Sequence, residues 1–195
     1  MDETGFRIGI GKDQLVVTKR KKSYYFATPG NRESATAIEY ISAGGRVLPA
    51  FLVLSGVKHQ SRWYNVMKDY PDTRIAMSPT RFSNDEICLE FGSHYTYPFI
   101  EYCERRNIIP FSLPPHLIYL LQPLDVVVFQ PLKHYHAKAV DLVVRDGYLD
   151  ITKMEFLGFI QNIRKQAFRQ STILSAFRKT GIVPFNPEVV LAIIR

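Results

Sequence analysis

Two carboxylates stand out by their surroundings. Asp125 closes the run Leu120-Leu-Gln-Pro-Leu-Asp125 and precedes Val126-Val-Val-Phe129 and Pro131-Leu-Lys133, which places it at the start of an expected helix. Just upstream, Asn107-Ile-Ile-Pro-Phe-Ser-Leu-Pro-Pro-His116 reads as a buried strand ended by a double proline. Asp2 sits in Met1-Asp-Glu-Thr-Gly-Phe6. Taken alone, each has a plainer explanation: Asp2 as an acid on a frayed terminus, Asp125 as a helix cap. Together with a basic charge balance, the two segments point to metal-dependent chemistry on nucleic acid.

The charge balance is 25 Lys and Arg against 18 Asp and Glu, a formal +7, which favours a polyanionic partner through phosphate contacts and counterion release. A chain of 195 residues, 46% hydrophobic and 13% aromatic, can bury one substantial core. Cys88 and Cys103 have no metal-ligand spacing and are expected to be reduced, buried thiols. No signal peptide opens the sequence, and the longest apolar run, Val47 to Val57, is too short for a bilayer. A soluble intracellular protein with no membrane partner is the expectation.

The elements that must position the carboxylates read as strands, then α/β, then helices. Leu15 to Thr18 reads as a strand, followed by the basic tetrad Lys19, Arg20, Lys21 and Lys22. Thr36 to Ala43 and Arg46 to Leu54 form a hairpin, with Gly44-Gly45 predicting a two-residue primed turn. A short helix is expected around Trp63 and Tyr64, and Ser83 with Glu86 caps another. Pro98 to Arg106 is an amphipathic helix with Phe99, Ile100 and Cys103 on one face, and Ile108 to Leu113 is the strand after it. The apolar spacing predicts a long helix from Val126 to Arg145 despite Pro131. Thr152 and Glu155 cap the next helix. Another runs from Ser171 to Thr180 and stops at Gly181, and Asn186-Pro187-Glu188 caps a last one.

These segments resemble the catalytic domain of the pogo-like transposases, in particular the fungal Fot-type elements, and the related domesticated domains of the jerky and centromere protein B kind. The motifs run nearly end to end: Met1-Asp-Glu-Thr-Gly-Phe6, Pro29-Gly-Asn-Arg-Glu33, His59-Gln-Ser-Arg-Trp-Tyr64, Gly92-Ser-His94, Leu113-Pro-Pro-His116, Leu120-Leu-Gln-Pro-Leu-Asp125 and Phe177-Arg-Lys-Thr-Gly-Ile-Val-Pro-Phe185. The resemblance implies an α/β, ribonuclease H-like fold of the DDE superfamily, a mixed sheet with flanking helices. Residues 1–150 would form that domain and 151–195 its helical C-terminal extension. It further implies a transposable-element origin, a nuclear location, DNA as partner with a homo-oligomer conceivable, and Mg²⁺ or Mn²⁺ held by three carboxylates. On the family pattern Asp2 matches the first carboxylate and Asp125 the third. Lys19, Arg20, Lys21, Lys22 and Lys133 are the candidate phosphate contacts.

The sequence departs from that pattern at one place. In relatives the second carboxylate ends an apolar strand just before a Ser-His pair. Here Asn84-Asp-Glu-Ile-Cys-Leu-Glu90 runs straight into Phe91-Gly-Ser-His94, so that strand, a central one, is missing with its aspartate. Glu90, or an acid such as Asp85, is a candidate substitute, and Glu90 matches a helical position. Because the sequence begins at Met1, the strand holding Asp2 is also expected to lack its upstream half.

Three readings therefore stay open. One is a degenerate transposase domain that binds DNA without cutting it. Another is an active Mg²⁺-dependent endonuclease, if the deleted segment is a gene-model error. The third is a protein-interaction remnant exposing Phe156, Phe159 and Phe177. The histidines offer no separate chemistry. His134 and His136 cannot share a helical face and are expected to be exposed, while His94 and His116 lie in family motifs near the metal site.

Overall fold

Gly44 and Gly45 do turn the chain, but over three residues instead of two. The Gly45 N–H donates to the Ser42 carbonyl at 2.9 Å, and the Ser42 N–H to the Arg46 carbonyl at 2.9 Å. Only Gly45 has a positive φ, 82°, whereas a primed two-residue turn needs it at both central positions. The result is an ordinary turn followed by one left-handed glycine. A Cβ on Gly45 would also stand 2.6 Å from the Gln170 side chain.

The computed structural model describes residues 1–8, 33–79, 97–114, 116–146 and 151–195. The expected strand at 15–18, the basic tetrad 19–22, the capping box at 83–86, and Asp85, Cys88, Glu90 and His94 lie outside them. β1 (Asp2–Arg7), β2 (Ser34–Glu39), β3 (Phe51–Ser55) and β4 (Arg74–Ser78) form a sheet in the order β1-β2-β3-β4. The first two pairings are antiparallel and β3 with β4 is parallel. The expected hairpin is thus β2–β3. Strand β4 was not anticipated, because Arg74-Ile-Ala-Met-Ser78 is short and carries little of the β-branched signature.

Six of the helices lie close to where the sequence puts them: α1 (Ser61–Val66), α2 (Tyr97–Arg105), α4 (Phe129–Arg145), α5 (Lys153–Ala167), α6 (Gln170–Lys179) and α7 (Glu188–Ile194). The Thr152–Glu155 capping box is present, with Thr152 accepting from the Met154 N–H. Helix α6 ends as expected at Gly181, φ 68°, where a Cβ would lie 2.2 Å from the Asn186 carbonyl oxygen. Asn186 supplies no side-chain cap to α7, whose cap position is Pro187. A short helix, α3 (Ile118–Leu121), precedes the long one and was not foreseen.

The sheet is mixed and the helices pack on it, an α/β arrangement compatible with the ribonuclease H-like fold. Phe6, Ala37, Leu52 and Leu54 from one sheet face meet Leu124, Val128, Leu132, Val140, Phe156 and Ile160 in one core. At about 25 cal/mol per Å² of apolar area, a core of this kind is the main stabilising contribution. Phe156 is fully buried, and Phe159 and Phe177 pack against the same cluster. These three rings are therefore not an exposed interaction surface, because α5 and α6 bury their apolar stripes against the sheet and α4.

Residues 108–113 are not a strand. Ile109 is 90% exposed and Phe111 79%, and among the described residues no strand lies beside them. A strand needs a neighbour for its N–H and C=O groups, and Pro110 removes one donor as well. Cys103 is a buried free thiol, as expected.

Candidate metal centre

Asp2 and Asp125 lie far apart in the sequence and meet. β1 alternates, so that Asp2, Thr4 and Phe6 face the helices. The other carboxylate is delivered by an unusual piece of helix. After α3, Pro123 starts a π-helical turn, Leu124–Val128, which carries Asp125 in its first turn and continues into α4. The wide turn lies just before Pro131, whose missing N–H and ring oppose a regular bond back to Val127. Leu124 and Val128 are buried in the core, while Asp125 is exposed.

The side chains of Asp2 and Asp125 lie beside each other, close enough for Asp125 to act on the Asp2 carboxyl. Burial, and then the neighbouring Asp125, push the Asp2 carboxyl up to about 6, while the Glu3 N–H holds against that by donating to Asp2 Oδ1 at 2.8 Å. A carboxyl partly buried beside another acid holds its proton more tightly, since a like charge nearby opposes its ionisation. Gln122, the first residue of the Gln-Pro-Leu-Asp motif, donates its side-chain N–H to the Met1 carbonyl at 2.8 Å. Residue 2 is thus held in a paired strand and is half-buried, not on a frayed end.

The third carboxylate within reach is already taken. Glu39 lies directly across the β1–β2 ladder from Asp2, on the same sheet face. It is fully buried and held by Arg164 through two hydrogen bonds, 2.8 Å from Nε and 2.7 Å from an Nη. Arg164 also donates to the Leu48 carbonyl at 3.0 Å and to Gln161 at 3.2 Å, and Gln161 donates to Thr73 at 2.9 Å. Burial pushes the Glu39 carboxyl up and the Arg164 guanidinium works against that shift. Among the described residues, no group of three acidic, histidine or cysteine side chains is placed to hold one ion.

His136 corrects an expectation: it is 5% exposed and lies among Phe6, Phe156 and Phe159, with ring centroids 5.0, 6.0 and 5.8 Å away. Helix α4 turns this position inward with Leu132 and Val140. His134 faces out, so the two do not share a face. His116 is exposed and has φ 64°. Asp125 opens onto a groove of about 760 Å³ that Lys133 and His134 also line. Of the sequence-derived nucleic-acid candidates, only Lys133 is among the described residues.

Sequence reading gave Gln122 no role and passed over Glu39, Arg164 and Lys138. Gln122 stood inside a quoted motif, but a bond to a main-chain carbonyl leaves no compositional trace. Lys138 was findable from helical spacing, five residues after Lys133 and four after His134 on the polar side of α4.

A family profile described as DDE superfamily endonuclease matches residues 80–177, half of the chain. A protein of Cochliobolus lunatus described as "MFS-type transporter clz9" is 33% identical over 218 residues, covering 98% of this chain. The chain spans about a quarter, 24%, of that protein's length. No solved structure matches.

Proposed function

We propose, from the premise that this chain belongs to the DDE superfamily endonuclease family, that it is a transposase-derived domain that binds DNA and has lost strand cleavage. The observation that carries this is the contact between Asp2 and Asp125, the residues matching the first and third family carboxylates, with the third nearby acid, Glu39, tied up by Arg164. The missing second carboxylate is supported by length: the 218 aligned positions of the relative exceed the 195 residues here, so the relative carries extra residues within the matched span. Neither of the two substitutes considered from the sequence, Asp85 and Glu90, is among the described residues. The relative's transporter name describes that protein. Among the described residues of this chain no helix is long and apolar enough to cross a membrane.

The two carboxyls fit one hard divalent cation. The raised Asp2 carboxyl holds a proton that such a cation would replace, and the oxygens of both acids suit Mg²⁺ or Mn²⁺. When bound, the cation supplies Lewis-acid polarisation of a phosphodiester oxygen. Asp2 and Asp125 would hold it, Gln122 keeps the strand end carrying Asp2 against the Asp125 turn, and Lys133 neutralises a neighbouring phosphate. A two-metal clamp needs acids from a further element, and its loss removes stabilisation of attacking and leaving oxygens together.

The pogo-like subtype, with its fungal transposable-element origin and nuclear location, belongs to the same proposal and rests on the motifs quoted above. So does a single domain in which residues 151–195 extend the rest, supported by Phe156 and Ile160 sharing the core of Phe6 and Leu132. The test is a supercoiled plasmid incubated with the protein and Mn²⁺. The expected result is salt-sensitive gel retardation without nicked circles. Nicking that disappears in Asp125→Ala would overturn the loss of cleavage, and absence of any retardation at low salt would overturn DNA binding.

A further inference from the structure

The exposed side of α4 continues the site. The groove that begins at Asp125 is lined by Gln130, Lys133 and His134, and a second groove of about 230 Å³ is lined by His134, Lys138, Asp141 and Arg145. His134 is common to both, so the two form one furrow. Positions 130, 134, 138, 141 and 145 are spaced by four, four, three and four residues, the repeat of a single helical stripe. At 1.5 Å per residue the stripe runs about 22 Å from Gln130 to Arg145. That is the rise of about six nucleotides of a duplex strand at 3.4 Å each.

Each of the two grooves carries a lysine, Lys133 in the first and Lys138 in the second. Lys133 and Lys138 are exposed and make no hydrogen bond or ion pair among the described residues, whereas Arg105, Lys153, Arg164 and Arg195 all have carboxylate partners. Asp141 is the one carboxylate in the furrow beyond Asp125. The opposite side of α4, with Phe129, Leu132, His136 and Val140, is buried in the core, which fixes the helix and the direction in which the lysines point.

We propose that this furrow on α4 is the track of a nucleic-acid backbone, with Lys133 and Lys138 each contacting a phosphate and His134 between them, leading a strand to Asp125. The inference rests on the DNA-binding reading above and adds where on the surface the strand lies. Lysine on a fixed helix gives contacts to phosphate, not to base edges, so the track carries affinity without sequence preference.

The experiment measures binding of the full chain to a fluorescein-labelled DNA duplex of arbitrary sequence, by anisotropy across a series of salt concentrations. Each lost phosphate contact lowers the slope of log K against log salt by about 0.9. Lys133→Ala/Lys138→Ala is expected to lower the slope by about two and to weaken binding at least tenfold at low salt. Lys133→Arg/Lys138→Arg is expected to retain both. Lys58→Ala/Lys68→Ala, a pair of exposed lysines that lines neither groove, is expected to leave the slope unchanged. If the wild-type chain binds with a steep slope and the furrow variant keeps it, or the Lys58/Lys68 variant loses as much, the track is overturned while DNA binding stands. If the wild-type chain shows no salt-sensitive binding, the reading beneath it fails, and the track with it.

Discussion

The Gln122 side-chain amide donates to the main-chain carbonyl of Met1 over 2.8 Å, across 121 positions of sequence. This bond closes a short circuit: Met1 leads to Asp2, Asp2 touches Asp125, and Asp125 follows Gln122 by three residues on the turn that starts α4. The two motifs that suggested metal chemistry are thereby fastened to each other by main chain as well as by acid. Gln122→Ala removes one exposed bond, so the cost in stability is about 1 kcal/mol or less. The expected consequence at the site is larger, a severalfold weaker affinity for Mn²⁺ by calorimetric titration. An unchanged affinity would show that Gln122 does not position Asp2.

The raised Asp2 carboxyl makes cation binding pH-dependent. Asp2 is raised from 3.8 to about 6, so below that pH a cation must displace a bound proton, and affinity for Mn²⁺ is expected to climb steeply up to pH 6 and flatten above it. The effect on stability without cation has its own sign. A carboxyl whose folded pKa is raised stabilises the fold below its unfolded value, and that contribution is lost as pH rises from about 4 through about 6. Asp2→Asn should remove this contribution from both, as read by difference from the wild type in titrations and in denaturant midpoints across that range.

His136 works in the opposite direction. Burial lowers it from 6.5 to about 4, and its Nε2 is buried without a hydrogen-bond partner. The unfolded chain therefore binds a proton first, and stability is lost as pH falls from 6.5 through 4, by up to about 3 kcal/mol at the acid end. His136→Leu keeps the packing against Phe6 and Phe156 and removes the titration. Its denaturant midpoint should fall less than the wild type's between pH 6.5 and 4. An equal fall in the two proteins would place the acid sensitivity elsewhere.

Much of the frame was legible because it rests on local signals. The Thr152–Glu155 capping box, the left-handed glycine after α6 and the apolar stripe of α4 each act within one or two turns, and each appears where the sequence puts it. The failures share a different cause. Ile108 to Leu113 has strand composition, but a strand exists only beside another, and neighbours are not written in the segment itself. His136 looks like a surface residue until the register of α4 against Phe6 is known. The meeting of Asp2 and Asp125 followed from no spacing rule. It was reachable only through motif resemblance, and the Arg164 hold on Glu39 was not reachable at all.

That hold is a buried ion pair between α5 and the sheet. Glu39→Gln or Arg164→Met leaves one buried partner without its counterion, and a loss of about 3–5 kcal/mol is expected in chemical denaturation. Glu39→Leu with Arg164→Met removes both charges together and should recover most of that loss. A double variant as unstable as the singles would mean that the hydrogen bonds of Arg164 to Leu48 and Gln161 hold the helix, and not the pair itself.

The most direct test of an incomplete family site is a count of bound Mn²⁺ by electron paramagnetic resonance titration of the wild-type chain and of Asp125→Ala at neutral pH. One ion bound per wild-type chain and none in the variant is the predicted result. Two ions per chain, or one that persists without Asp125, would contradict a site built from Asp2 and Asp125 alone.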